Sequence, residues 1–535
     1  MGDAAATIGD AETFRLLTQL VAAAPTNLED PVHHRWEKPN YLRTADAIVR
    51  AARANGLATR VFDPVVAGQR PTDWHGANRP NVVVDLDVGA KETVLILAHY
   101  DVVPVPAEQV ARWKSPPHTL TLRADGRLYG RGAADDLGSG VVTALLAMRR
   151  LANGADPSPR NVRLVACCDE ETGGEGGVEA IRASDAERAP DDPERILRAD
   201  VALIPDGSPE LSAGCSGLAF LDGSFAAPVP LDEVLAYGGA LVALHEIART
   251  WRSVYPSPDW PDRHAPEPVI TGRATVTRFD VESPPADSSR LRLLAAHAEN
   301  DAPNQIPRAV TLIVGGPAAE ADAFRSRLAG LAPAPFEVQA AGPTALTVPP
   351  GGRAVQVIGE AGHAGYPHRV HNPVPVTLQL LRAAVDRGWL DGRSPSVATY
   401  AVDLRLIPEM ELATGVEAAL RYARNWAATY APLARIAAPP ERCRAGYALP
   451  MDHPAALKLE RILRTTLGSH GIVGEYGGTD ASALQGLKTP TGAPLPALVF
   501  GCMDLESRIH EAEESADPVK IAGVAATLER FVRDA

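Results

Sequence analysis

The stretch VRLVACCDEETGGEGG, residues 162–177, decides how this chain is read. An apolar run stops abruptly at three consecutive acids, Asp169, Glu170 and Glu171, and a glycine-rich turn follows. Three adjacent carboxylates repel one another, and each is costly to take out of water. Solvent, a basic partner or a metal must neutralise them. The run itself, from residue 161, reads as a buried strand.

The neighbouring segments repeat the pattern. TVLILAHYD (93–101) and ADVALIPDGS (199–208) read as further strands, and GVVTALLAMRRLA (140–152) and VEAIRAS (178–184) as helices. Residues 10–24 and 43–57 also carry apolar side chains at helical spacing. Alternation of this kind predicts an α/β layer architecture with parallel strands. From about residue 455 the alternation resumes, with AALKLERILRTTLGSHG, then LPALVFGC, then VKIAGVAATLERFVRD.

The middle of the chain differs. ATVTRFDVES, AVTLIVGG, RAVQVIGEAGHAGYPH and SVATYAVDLRLIPE alternate like half-exposed strands, and residues 374–388 read as a helix. WRSVYPSPDWPDRHAPEP (251–268) lacks periodicity and reads as a loop or insertion. The expectation is a two-domain protein. A catalytic α/β domain with a mixed, mostly parallel sheet spans 1–217 and 441–535, and an enlarged α+β lid domain, 218–440, is inserted into it.

At 535 residues the chain exceeds the size at which one core usually splits. Its 45% apolar and 22% charged content is ordinary for a globular protein. A net charge of −14 without a dense Lys/Arg cluster argues against a nucleic-acid partner. Five cysteines (167, 168, 215, 443, 502) without paired spacing predict reduced thiols and a cytoplasmic protein. The first residues lack a basic segment followed by an apolar one, and no apolar run reaches the roughly 18–20 residues a bilayer requires. No membrane partner is expected.

Each predicted strand ends in groups that bind metals. His99 and Asp101 end the first, Asp169 to Glu171 the second, and Asp206 the third. In parallel sheets, ligands sit beyond the carboxyl ends of the strands. LYGRGAADDLGSG (128–140) adds Asp135 and Asp136 on a glycine-rich turn, and SRIHEAEE adds His510 and Glu511. Histidine with several carboxylates suits Zn²⁺, Mn²⁺ or Co²⁺. A bridging carboxylate flanked on each side by a His and an acid makes a two-metal site, with ions roughly 3.5–4 Å apart.

HYDVVPV, YGRGAADDLGSG, DEETGG, PDGS, GHAGYPH, GGTDAS and IHEAEE occur in this order between about residues 80 and 515. In this the chain resembles the two-zinc aminoacylase and carboxypeptidase-type metallopeptidases. That group includes glutamate carboxypeptidase, succinyl-diaminopimelate desuccinylase, acetylornithine deacetylase and bacterial dipeptidases. The resemblance implies that His99 and Asp206 hold one metal, Glu171 and His510 a second, and that Asp135 bridges them. It implies Asp101 as the orienter of His99, Glu170 as general base and His363 as an oxyanion-holding lid residue. Asn304, Arg405, Gly478 and Thr479 would contact substrate. Leu137 stands where the family usually has Lys, and the lid is about twice the usual length. Asn304 precedes His363, as in the long-lid dipeptidases. A longer lid favours a monomer that completes its own site, with a homodimer as the alternative. The implied activity is cleavage of an amide near a free carboxylate, in dipeptides or short peptides. The alternatives are an N-acyl-amino-acid deacylase and an inactive binding protein on the same fold.

Overall fold

A computed structural model describes residues 11–26, 38–64, 78–105, 107–189, 192–258, 267–284, 289–300, 304–342 and 346–534. The chain divides into two compact units. One comprises Met1–Cys215, Tyr447–Val473 and Thr479–Ala535, the other Ser216–Gly446 and Gly474–Gly478.

The first unit is built on strands β1 (Ala58–Phe62), β2 (Asn81–Leu86), β3 (Thr93–His99), β4 (Asn161–Cys167), β5 (Val201–Ile204), β6 (Leu211–Cys215), β7 (Tyr447–Ala448) and β8 (Ala497–Val499). They lie in the order β1-β2-β4-β3-β5-β8-β6-β7. The centre is parallel: β3 pairs with β4 and β5, and β8 with β5. The outer pairings are antiparallel. β3 is apolar and buried from Val94 to Ala98, and β4 from Leu164 to Cys167, because the strands at the centre of the sheet are covered on both faces. Their side chains share one core with the helices, through Leu17, Ile48, Met148, Leu463 and Val524.

This order positions a site. The chain runs from β3 to β4 on one side, then returns across β3 to β5 on the other. Such a reversal opens a crevice beyond the carboxyl ends of the strands. The helix expected at 140–152 begins earlier and differently. Asp136–Val142 forms a wide π-type turn, and the regular α-helix is Thr143–Asn153. Gly138 sits in that turn so close to the chain that a Cβ there would lie 1.8 Å from the Ala133 carbonyl oxygen.

The second unit is an antiparallel sheet with its own core. Its strands run Glu337–Ala340, Arg353–Ile358, Ala309–Gly315, Arg292–Ala298, Arg273–Glu282, Pro395–Leu406, Gly217–Phe225 and Ala434–Ala437, in spatial order. Helices Leu231–Ala248, Pro373–Asp386 and Leu412–Tyr430 contribute Leu241, Leu381 and Ala423 to the core, beside Phe279 and Tyr400. Helix Leu231–Ala248 escaped the periodicity argument because LDEVLAYGGALVALHEIA is apolar on most sides and shows no clean stripe. The loop reading of 251–268 needs correction too. Arg252–Pro256 is a strand paired antiparallel with Val269–Thr271, while 259–266 lie outside the described residues. Alternate burial along Arg252–Pro256 is the physical signal, masked in sequence because Ser253 is buried and Val254 exposed. No helix among the described residues is long and apolar enough to cross a membrane.

Candidate metal centre

The three strand ends meet. His99 closes β3, Glu171 lies just beyond β4, and Asp206 follows β5. Asp135, before the π-type turn, completes one group with His99 and Asp206, and a second with Glu171 and His510. Within each group the candidate ligand atoms lie within 4.8 Å of one another. Asp135 is common to both, which is the requirement for a bridge.

Burial and charge make this cluster incomplete without a cation. Asp135 Oδ1, Glu171 Oε1 and His510 Nε2 are buried and have no hydrogen-bond partner among the described residues. His510 Nε2 approaches Glu171 Oε1 to 2.8 Å and Asp135 Oδ2 to 3.2 Å without hydrogen-bond geometry. Burial, then the Asp135 charge, pushes the Asp206 carboxyl well above its ordinary range. Burial likewise raises Glu171 against the pull of His510. Burial alone would lower His510, but the Glu171 and Asp135 carboxylates outweigh it and hold the imidazole well above its usual value. Buried carboxylates crowded against a histidine fit a divalent ion with oxygen and nitrogen ligands.

A ligating imidazole must be neutral, so loading the centre must displace the His510 proton. Metal uptake at pH 7 is therefore expected to release about one proton or more, and apparent affinity to rise with pH until His510 is neutral in the metal-free protein. Calorimetric titration in two buffers of different ionisation enthalpy measures this release. Uptake without proton release would contradict the assignment of His510.

Asp101 organises the floor of the cluster. It is fully buried, and its Oδ1 lies 3.4 Å from His99 Nδ1. Its two oxygens also accept the backbone amides of Glu170 (3.1 Å) and Glu171 (3.2 Å). The Asp101 backbone carbonyl accepts a hydrogen bond from His99 Nδ1 (3.2 Å), which leaves Nε2 as the nitrogen able to ligate, while the Asp101 carboxylate holds the turn carrying both glutamates.

Residues 95–534 match the sequence profile of Peptidase family M20/M25/M40. The chain belongs to this family. The Cys-Gly metallodipeptidase of Schizosaccharomyces pombe is 34% identical over 191 residues, 35% of this chain and 38% of that protein. The succinyl-diaminopimelate desuccinylase of Acidovorax ebreus is 43% identical over 94 residues, 17% of this chain and 22% of that protein. The chain therefore matches well under half the length of either relative. The solved structure of the di-peptidase Dug1p from Saccharomyces cerevisiae shares the fold, with a TM-score of 0.58 at 12% identity, covering 97% of this chain and 95% of that one.

Not every acid of the opening stretch joins this candidate cluster. Asp169 turns away, with φ of 60°. Its carboxylate pairs with buried Arg79 (Nε–Oδ2 2.7 Å) and accepts from Tyr41 Oη (2.9 Å). Burial still lifts it to about 6, against the pull of Arg79. Sequence reasoning missed Arg79 and Tyr41, because partners 90 and 128 residues away leave no local signature. Arg79→Ala removes the cation beside buried Asp169, and a loss of about 3–5 kcal/mol of stability is expected. Denaturant unfolding of the metal-free protein checks it. A change below about 1 kcal/mol would show that solvent reaches Asp169.

The second unit brings other expected residues together. Gln305 pairs with His363, and the Ala364 amide donates to the Asn304 carbonyl (2.8 Å). His363 Nδ1 accepts the Gly365 amide (3.0 Å). Arg405 is buried. Its Nε and Nη2 donate to Asp403 (2.7 and 2.8 Å), and Nη1 donates to the Tyr476 carbonyl (3.2 Å). Two of its five N–H groups remain beyond these bonds. Gly478 ends the short return Gly474–Gly478, and Thr479 opens the next segment of the first unit, capping Ala481 through its hydroxyl (3.2 Å).

Proposed function

We propose that this chain is a dinuclear metallohydrolase that cleaves an amide bond near a free carboxylate, in dipeptides or other short peptides. The observation that carries this reading is Asp135, shared by two ligand groups, with Asp135 Oδ1, Glu171 Oε1 and His510 Nε2 buried and without hydrogen-bond partners among the described residues. His99 and Asp206 would hold one divalent ion, and Glu171 and His510 the other. Zinc fits these ligands, as do manganese and cobalt. Two ions bound there would acidify a water and polarise the amide carbonyl.

The chain's own groups then have defined work. Glu170 opens the short turn Glu170–Thr172 beyond β4 and is half-buried, with its backbone fixed by Asp101. Its carboxylate accepts the proton of the attacking water and passes it to the leaving nitrogen. His363 would donate to the developing oxyanion. Asn304, Gly478 and Thr479 would position the substrate, and the remaining N–H groups of Arg405 would meet its carboxylate.

The second reading is an N-acyl-amino-acid deacylase. GHAGYPH with the following Asn372 and Pro373 resembles that branch, and the desuccinylase stretch has the higher identity of the two relatives. A panel of dipeptides and N-acyl amino acids, assayed for amine release with metal-loaded protein, decides between them. Release from dipeptides supports the first reading and release from acyl amino acids the second. No release from either, by folded protein carrying two ions, would sink both. The same reading favours a monomer. Mixing Glu170 and His363 variants is expected to restore nothing, and recovered activity would show residues shared between subunits.

A further inference from the structure

Asp135 and His510 lie on loops far apart in sequence. The His510 loop is an unusual stretch of backbone, since Arg508, His510 and Glu513 all have φ between 51° and 70°. Non-glycine residues in this region persist only when their surroundings enforce it. Three arginines at spacing four, Arg123, Arg127 and Arg131, come from the loop that leads to Asp135, and each meets an acid of the His510 loop. Arg127 pairs with Asp504 (3.0 Å), and Arg123 with Glu513. The innermost pair, Arg131 Nη1 to Glu514 Oε2 at 2.6 Å, leaves each side chain only 1% exposed.

Glu514 does more than neutralise Arg131. Its Oε1 accepts the amide of Ala134 (3.3 Å), the residue before Asp135. Its carbonyl accepts the Gly130 amide (3.1 Å), and Ser515 and Ala516 pair with Tyr129 and Leu128. Gln109 Oε1 accepts from Arg131 Nη2 (3.3 Å) and keeps the guanidinium in place. A charge-assisted bond buried this deeply permits little play. We propose that Glu514 is a positioning residue: held between Arg131 and the Ala134 amide, it fixes His510 relative to Asp135 and so sets the second of the two metal positions.

The proposal rests on the two-metal reading, and its test separates the two. Metal-free wild type, Glu514→Gln and Glu513→Gln are titrated with Co²⁺, followed by visible absorption against a competing chelator. Glu513 sits in the same loop, but its partners Arg123 and the Lys114 amide adjoin neither ligand. Wild type and Glu513→Gln are expected to take two equivalents with affinities alike within about twofold. Glu514→Gln is expected to keep the first and bind the second roughly 10–100-fold more weakly, the range for outer-sphere partners of metal ligands. Unchanged affinities in Glu514→Gln, equal loss of both ions, or the same loss in Glu513→Gln would overturn the proposal. A single equivalent in wild type would overturn the two-metal reading instead. Should Glu514→Gln fail to fold, Arg131→Lys, which keeps the charge but not the fork, replaces it. It is expected to weaken the second ion alone by roughly tenfold, the low end of the outer-sphere range, and an unaltered second ion there would also refute the role of Glu514.

Discussion

Asp135→Asn is expected to strip both ions from the protein and reduce hydrolysis to background. Asp135 belongs to both ligand groups, whereas His99 and Asp206 belong to one and Glu171 and His510 to the other. An asparagine keeps the shape but removes the charge that balances two cations, so each affinity should fall by more than the ~10–100-fold typical of outer-sphere changes. The fold should survive. Burial opposes the Asp135 charge in the metal-free protein, but His510, His99 and Asp206 outweigh it and hold this carboxyl below its ordinary range. Metal-free Asp135→Asn should therefore melt at or somewhat below wild type. The loaded wild type gains stability by binding, and that gain should vanish in the variant. Melting with and without metal, together with metal content, measures both effects. One tightly held ion in Asp135→Asn would show that the carboxylate does not bridge.

Glu170→Gln is the second large effect, of a different kind. The side chain is removed from proton transfer while the Glu170 amide, held by Asp101 at 3.1 Å, keeps the turn in place. Metal content and KM should stay close to wild type, while kcat falls by about 10²–10⁴-fold, the usual contribution of a positioned acid–base group. Loss of kcat without change in KM marks an interaction made only in the transition state. A kcat within about tenfold of wild type would move the proton transfer to another group.

The candidate ligand set was legible residue by residue. His99, Glu171 and Asp206 follow apolar strands, Asp135 stands in a glycine-rich turn and His510 in the loop SRIHEAEE, and parallel strands bring their carboxyl ends to one edge. Helix Leu231–Ala248 and strand Arg252–Pro256 were not readable in the same way, since one lacks an apolar stripe and the other buries Ser253 while exposing Val254. The pairing of Arg405 with Asp403 joins two residues that strand alternation places on one face. It turns a residue expected to await substrate into one already engaged inside its unit.

The opening acids show where the division falls. Sequence alone determined that three carboxylates end a buried strand and need a counter-charge. Only the tertiary structure decided which counter-charge each receives. The left-handed turn at Asp169 sends that side chain to Arg79, and Glu171 to the cluster with Asp135 and His510. Arg79 and His510 come from 90 and more than 300 residues away, and such distances are closed by the packing of the sheet, not by any pattern along the chain.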